Sequence, residues 1–128
     1  MRIVVIDDDE DLLSLVDAIL IDEGHEVMPY MDKNSIKGII INRPDLVLLD
    51  HKLPDGLGSD FCREIKNNEL TKHVAVVLIS GWPELEQLAR ECGADACLKK
   101  PFDLNALVQV VNDFSHKQSN THNHEDFG

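Results

Sequence analysis

Three short runs in this chain are apolar from end to end: Ile3 to Ile6 (IVVI), Leu46 to Leu49 (LVLL) and Val74 to Ile79 (VAVVLI). A strand with one wet face alternates polar and apolar residues. A run that is greasy on both faces belongs in the middle of a sheet covered on both sides. Two weaker strand candidates, His25 to Tyr30 (HEVMPY) and Ala94 to Lys99 (ADACLK), complete a set of five. Pro29 has no amide N–H to give a neighbour and pushes the first of these two toward an edge. Between the strands, apolar residues recur at helical spacing. The stripes are Leu12, Leu15, Val16, Ile19 and Leu20; Ile36, Ile39 and Ile40; Leu57, Phe61 and Ile65; Leu85, Leu88, Ala89 and Cys92; and Leu104, Leu107, Val108 and Val111. Each covers one face of a 3.6-residue helix. Gly24 and Gly93 fall where helices should end, and Asp103 where the last should begin. Strand followed by helix, five times over, predicts an α/β fold: a five-stranded parallel sheet with helices on both faces, joined by right-handed crossovers.

Such sheets bind ligands beyond the carboxyl ends of their strands. The residues at those ends therefore matter most. Asp7, Asp8 and Asp9 follow the first strand, Asp50 the third, Ser80 and Gly81 the fourth, and Lys99, Lys100 and Pro101 the fifth. Any one of them alone is a common turn or cap residue. Together they bring three or four carboxylates, a hydroxyl and an ammonium to one rim. Crowded carboxylates repel unless a cation intervenes, and Mg²⁺ suits one or two carboxylates with waters and a phosphate oxygen. A lysine beside such an ion is a point charge suited to phosphate. The set is one that would hold a phosphoryl group, with Asp50 as the nucleophile at the tip of a rigid strand.

Composition narrows the function. The chain has 128 residues, enough for one domain with a real core, and 43% of them are apolar. Asp and Glu number 24 against 12 Lys and Arg, a formal charge of −12, which disfavours nucleic acid and anionic membrane as partners. No apolar stretch approaches the ~20 residues of a membrane span, and no signal peptide precedes IVVI. Cys62, Cys92 and Cys97 show no metal-binding spacing and read as small buried hydrophobes in a reducing cytoplasm. Residues 116–128 are polar and expected to fray as a disordered tail. A metal site among His116, His122 and His124 would need a convergence that such a tail does not supply. His51, next to Asp50, is expected to be a bystander in the loop. Gly56 and Gly58 form a GxG without the third glycine of a nucleotide fingerprint.

The motifs IVVIDDDEDLL, DLVLLDHKLPDGLG, VVLISG and GADACLKKPF together resemble the receiver domain of two-component response regulators, stand-alone chemotaxis-type regulators included. The resemblance spans residues 1 to about 115. It implies a flavodoxin-like sheet of order 2-1-3-4-5 and a phosphorylation-dependent signalling switch. Asp50 would accept a phosphoryl group from a histidine kinase, a phosphotransfer protein or a small phosphodonor. Asp8 would bind Mg²⁺ directly and Asp7 largely through water, with the backbone carbonyl of Lys52 as a further ligand. Ser80 and Lys100 would contact the phosphoryl oxygens, and the Lys100–Pro101 peptide would be cis. Lys99 would be solvated. The state would pass to an unidentified protein target from a monomer or a phosphorylation-dependent dimer.

Three departures from the family pattern stand out. Cys97 occupies the place of an aromatic residue that often rotates on activation. The span from Ser80 to Gly93 is short, which points to a contracted fourth helix or preceding loop. Trp82, two residues after Ser80, is placed to shield an acyl phosphate from water. Two competing readings follow. One is a pseudo-receiver that binds without being phosphorylated. The other is a small phosphatase of the haloacid dehalogenase type, for which Asp7 and Asp9 supply a DxD pair, although the last strand ends in lysines where that family places acids.

Overall fold

The structure, a computed structural model, describes residues 1–32 and 36–127, with side chains as far as Ser115. The expected polar tail at 116–128, with His116, His122 and His124, lies outside the described side chains. Five parallel strands form the main sheet: β1 (Arg2–Ile6), β2 (Glu26–Tyr30), β3 (Leu46–Asp50), β6 (Ala75–Ser80) and β7 (Ala96–Lys99). Their order is β2-β1-β3-β6-β7, which is 2-1-3-4-5 counted along the chain, as expected. β2, with Pro29, is an edge strand. The helices are α1 (Glu10–Asp22), α2 (Ile36–Asn42), α3 (Gly58–Asn67), α4 (Leu85–Cys92) and α5 (Leu104–Phe127).

Alternate residues of the central strands feed two cores. Val4, Ile6, Val47, Leu49, Val76 and Leu78 pack with Ile39 of α2, Phe61 and Ile65 of α3, and Leu85 and Ala89 of α4. Ile3, Val5, Leu46, Leu48, Val77 and Ile79 pack with Leu13, Val16 and Leu20 of α1 and Leu107 and Val111 of α5. All five residues of β3, Asp50 included, are buried. Each aliphatic side chain so buried contributes about 1.5–3 kcal/mol, so the strands that carry Asp50 and Ser80 are firmly mounted.

Two helices differ in phase from the expectation. In α1 the buried residues are Leu13, Val16 and Leu20, while Leu15 is exposed. The face is set by packing, since Leu13, Val16 and Leu20 join the core formed with Ile3, Val5, Leu46 and Leu48, while Asp9, whose carboxylate accepts the amides of Asp11 and Leu12, is the N-cap that starts the helix. Leu57 does not join the α3 stripe. It pairs with Lys52 in a small antiparallel hairpin, β4 (Lys52–Leu53) and β5 (Gly56–Leu57), and is exposed. Asp103 does cap α5, accepting the Ala106 amide at 2.7 Å. Gly93 closes α4 at φ 82°, a left-handed angle that glycine adopts at little cost. Cys62 and Cys92 are buried between α3 and α4, and all three cysteines are free. Among the described residues no helix is long and apolar enough to cross a membrane.

Candidate functional site

The carboxyl ends of four strands meet at one cleft. The register pairs Ile6 with Leu49, Asp50 with Ile79 and Ser80 with Lys99, so the residues at or just after these ends lie side by side. The Asp7 amide continues the ladder by donating to the Tyr30 carbonyl at 3.1 Å. The cleft, of about 510 Å³, is lined by Asp7, Asp8, Asp9, Asp50, Lys52, Ser80, Gly81, Trp82 and Lys100. Every site residue expected from sequence is thus on its wall. Lys99 is exposed and points elsewhere, lining a separate groove with α4 and Cys97.

Of the two lysines on the cleft wall, Lys100 is the one that touches the acids. Its Nζ lies 2.9 Å from Asp50 Oδ1 and 3.3 Å from Asp7 Oδ2. The Lys100–Pro101 peptide is cis, and the Lys100 amide donates to the Ser80 carbonyl at 2.9 Å. Asp7 also accepts the Asp9 amide at 3.0 Å, which fixes its orientation. Burial pushes the Asp50 carboxyl above the ordinary aspartate value; the hydrogen bond from Lys100 opposes this, and the charges of Asp7 and Asp8 add to it. Burial works against the Lys100 ammonium, but the hydrogen bond and charge of Asp50, with Asp7, outweigh it and hold its pKa above the usual lysine value.

One carboxylate oxygen each from Asp7, Asp8 and Asp50 lie within 4.8 Å of one another. With the three acids ionised, one ammonium leaves two negative charges uncompensated. Hard oxygen donors around a surplus of two negative charges fit a small divalent cation such as Mg²⁺.

Ser80 is buried, and its Oγ accepts the Trp82 amide at 3.1 Å. Gly58 packs directly beneath the site: its amide donates to the His51 carbonyl at 2.6 Å. A Cβ on Gly58 would collide with the Asp50 carbonyl oxygen and reach 2.8 Å from His51 Cα.

His51 is not the loop bystander expected from its position. It is fully buried, its amide donates to the Ile79 carbonyl at 2.9 Å, and its ring lies 4.8 Å from Trp82 at 73°. Nδ1 accepts the Ser59 amide over a long 3.4 Å, and Nε2 meets no hydrogen-bond partner among the described residues. The signal in the sequence was the apolar run itself. His51 continues a strand buried on both faces, so it inherits the burial.

The order of the sheet agrees with what a comparison with known proteins finds. A family model of the response regulator receiver domain matches residues 3–112. The chain belongs to the response regulator receiver domain family. It is 33% identical over 113 residues to the phosphate regulon transcriptional regulatory protein PhoB of Escherichia coli, covering 86% of this chain and 49% of PhoB. The chain thus spans about half the length of the curated relatives it matches. A two-component response regulator from Clostridium difficile superposes with a TM-score of 0.84 at 26% identity, covering 92% of this chain and 98% of that one. Chemotaxis response regulator CheY4 of Vibrio cholerae shares the fold, with a TM-score of 0.80 at 22% identity over 88% of this chain and 97% of its own.

Proposed function

We propose that this receiver is a phosphorylation-dependent switch in a two-component phosphorelay, with Asp50 as the acceptor. The observation that carries the reading is the Asp50 carboxylate itself: buried at a strand end, 2.9 Å from an ammonium and within 4.8 Å of two further acids. Asp50 attacks the phosphorus of a phosphohistidine on a histidine kinase or phosphotransfer protein, or of a small phosphodonor. The bond from phosphorus to the imidazole nitrogen breaks, its electron pair leaves with the imidazole, and the ring takes up a proton. Lys100 moves its ammonium from the two carboxylates to a phosphoryl oxygen, and Ser80 turns its hydroxyl to donate to another. Asp7, Asp8, Asp50 and the Lys52 carbonyl would hold Mg²⁺, which when bound neutralises charge on the transferring phosphoryl group. The chain catalyses only its own phosphorylation and dephosphorylation. The new charge shifts the population toward a surface that a target protein recognises.

The formal charge of −12 opposes contact with nucleic acid by this domain, and the free thiols fit a cytoplasmic setting. The receiver family model that matches residues 3–112 weighs against the phosphatase reading. The test is intact-mass spectrometry after incubation with acetyl phosphate or phosphoramidate, with and without Mg²⁺. A Mg²⁺-dependent gain of one phosphoryl group that Asp50→Asn abolishes is the expected result. A wild type that no donor modifies, its own kinase included, leaves the pseudo-receiver.

A further inference from the structure

We propose that the groove at the amino end of the sheet, between the end of α2 and the loop from α3 to β6, is a docking site for an acidic, apolar segment of a partner protein. The inference does not depend on Asp50 being the acceptor.

The groove lies at the pole opposite the acidic cleft. Arg43 precedes β3 and Val74 precedes β6, whereas Asp50 and Ser80 end those strands. It encloses about 330 Å³, room for a large apolar side chain, between Ile40 and Arg43 on one side and Glu69, Leu70 and His73 on the other. Leu70 is 65% exposed, and Ile41, which follows Ile40 in α2, is 77% exposed. Among the described residues no large apolar side chain is more exposed than these two. A single exposed leucine needs no explanation, but an apolar patch beside a cavity is a mark of an interaction site.

The loop that carries Leu70 is built to hold it there. The Leu70 amide donates to Asn68 Oδ1 at 2.8 Å, and the amides of Thr71 and Lys72 donate to the Asn68 carbonyl at 3.0 and 2.8 Å. Thr71 is fully buried, and its hydroxyl donates to the Ile65 carbonyl at 2.8 Å. A leucine presented on a backbone so tightly bonded has little freedom left to lose on docking.

Charge identifies the partner's chemistry. α2 closes on Arg43, whose amide donates to the Ile39 carbonyl at 3.0 Å and whose φ is 48°. Glycine or asparagine is usual at such a left-handed helix end. Arginine stands there against its backbone preference, and the buried Pro44 directly after it stiffens the chain, so the guanidinium is rooted beside the cavity. Glu69, the acid on the wall, is engaged by Lys72 at 2.8 Å, which leaves Arg43 to set the sign that a partner meets. The whole chain carries −12, but at physiological salt charges beyond about 8 Å are screened and the local sign decides. A guanidinium beside leucine and isoleucine complements a carboxylate beside an apolar anchor. An amphipathic helix with an acidic rim supplies both. A partner held at this pole leaves the cleft open to a phosphodonor.

The full chain, isotope-labelled for NMR, is titrated with a capped amphipathic peptide of leucine, phenylalanine and glutamate, and with its counterpart carrying lysine for each glutamate. The glutamate peptide should shift amides within residues 39–43 and 69–74, and the lysine peptide should not. Leu70→Asp should abolish the shifts. Arg43→Gly should bind about tenfold more weakly, the loss of one charge-assisted contact. It should melt no lower than wild type, because glycine suits the left-handed angle, and this separates lost recognition from lost folding. Leu15→Asp, at an exposed leucine of α1, and Asp50→Asn should both bind as wild type does. Equal binding of the two peptides, shifts centred elsewhere, or no shift at millimolar peptide overturns the proposal. So does a groove already filled: if Leu70→Asp, without peptide, moves the amides of residues 116–128 or breaks a dimer seen by sedimentation, the occupant is the chain's own tail or a second copy.

Discussion

Gly58→Ala tests whether the site depends on close backbone packing beneath Asp50. Gly58 opens α3, and its amide bonds the His51 carbonyl at 2.6 Å. Its φ lies outside the left-handed region, so space and not backbone angle demands glycine here. An added methyl would strike the Asp50 carbonyl oxygen and press on His51 Cα at 2.8 Å. Both partners are backbone in or beside a fully buried strand, so neither can rotate away as a flexible side chain would. Overpacking of this kind costs about 1–3 kcal/mol. For a chain of 128 residues the unfolding entropy is roughly 0.25 kcal/mol/K, so each kcal/mol lowers Tm by about 4 °C. Gly58→Ala should therefore melt about 4–12 °C below wild type, read by circular dichroism. Because the strain enters at Asp50, phosphoryl uptake from acetyl phosphate should slow as well. Gly81→Ala is the control: its nearest contacts would be Lys100 atoms at 3.7 and 3.9 Å, ordinary van der Waals distances. If both variants melt together, the tight approach of α3 to Asp50 is not a constraint on this fold and the reasoning fails.

Lys100→Met removes the one ammonium that touches Asp50 and Asp7, and should tighten Mg²⁺ binding about tenfold by calorimetry, since a like charge a few ångströms away opposes the cation by roughly 1–2 kcal/mol. Trp82→Ala should hasten loss of the phosphoryl group, followed by intact mass after the donor is removed; an unchanged rate ends the idea that the indole shields it. Asp103→Ala deletes the cap on the Ala106 amide and should lower stability by about 1 kcal/mol in urea. Burial first, and then the N-terminal ammonium 3.1 Å from Nδ1, lower the His25 pKa, with Glu23 opposing. The folded value then lies below the unfolded one, so this contribution to stability is complete above about pH 6.5 and is lost as pH falls from there toward the folded pKa. His25→Asn should flatten that part of the stability–pH curve, compared by urea unfolding across the range.

The strands that carry chemistry were legible because burial on both faces leaves an unbroken apolar run, and the residue that ends the run is the one at the sheet's rim. Asp50 and Ser80 were readable in this way, and the order of the sheet came with the family resemblance. The rotation of α1 was not legible. With Leu12, Leu13, Leu15, Val16, Ile19 and Leu20 all apolar, periodicity alone allows more than one face. What decides is long-range packing: Leu13, Val16 and Leu20 meet Ile3, Val5, Leu46 and Leu48 in the core, which leaves Leu15 outward. The β4–β5 hairpin was hidden for a related reason. Two-residue strands carry no periodicity, and Leu57 matches the α3 spacing although its backbone is still extended.

His51 shows the remaining limit. A histidine beside a catalytic aspartate invites a chemical role, and a histidine at the start of a loop invites none. Neither impression contains the fact that matters, which is a long-range contact. Ser59 reaches Nδ1 only because α3 folds back under β3, and Trp82 reaches the ring only because β6 lies beside β3. Parallel pairing puts residues some 30 positions apart in register, and no local pattern records which side chains then touch. The acidic cleft could be anticipated because every strand of a parallel sheet delivers its end to the same rim. What lies one layer below, a buried imidazole holding an indole whose amide is tied to Ser80, depends on the particular side chains that meet there. Cys97 stands where the resemblance leads one to expect an aromatic residue, and among the described residues that line the cleft Trp82 supplies the only large aromatic ring.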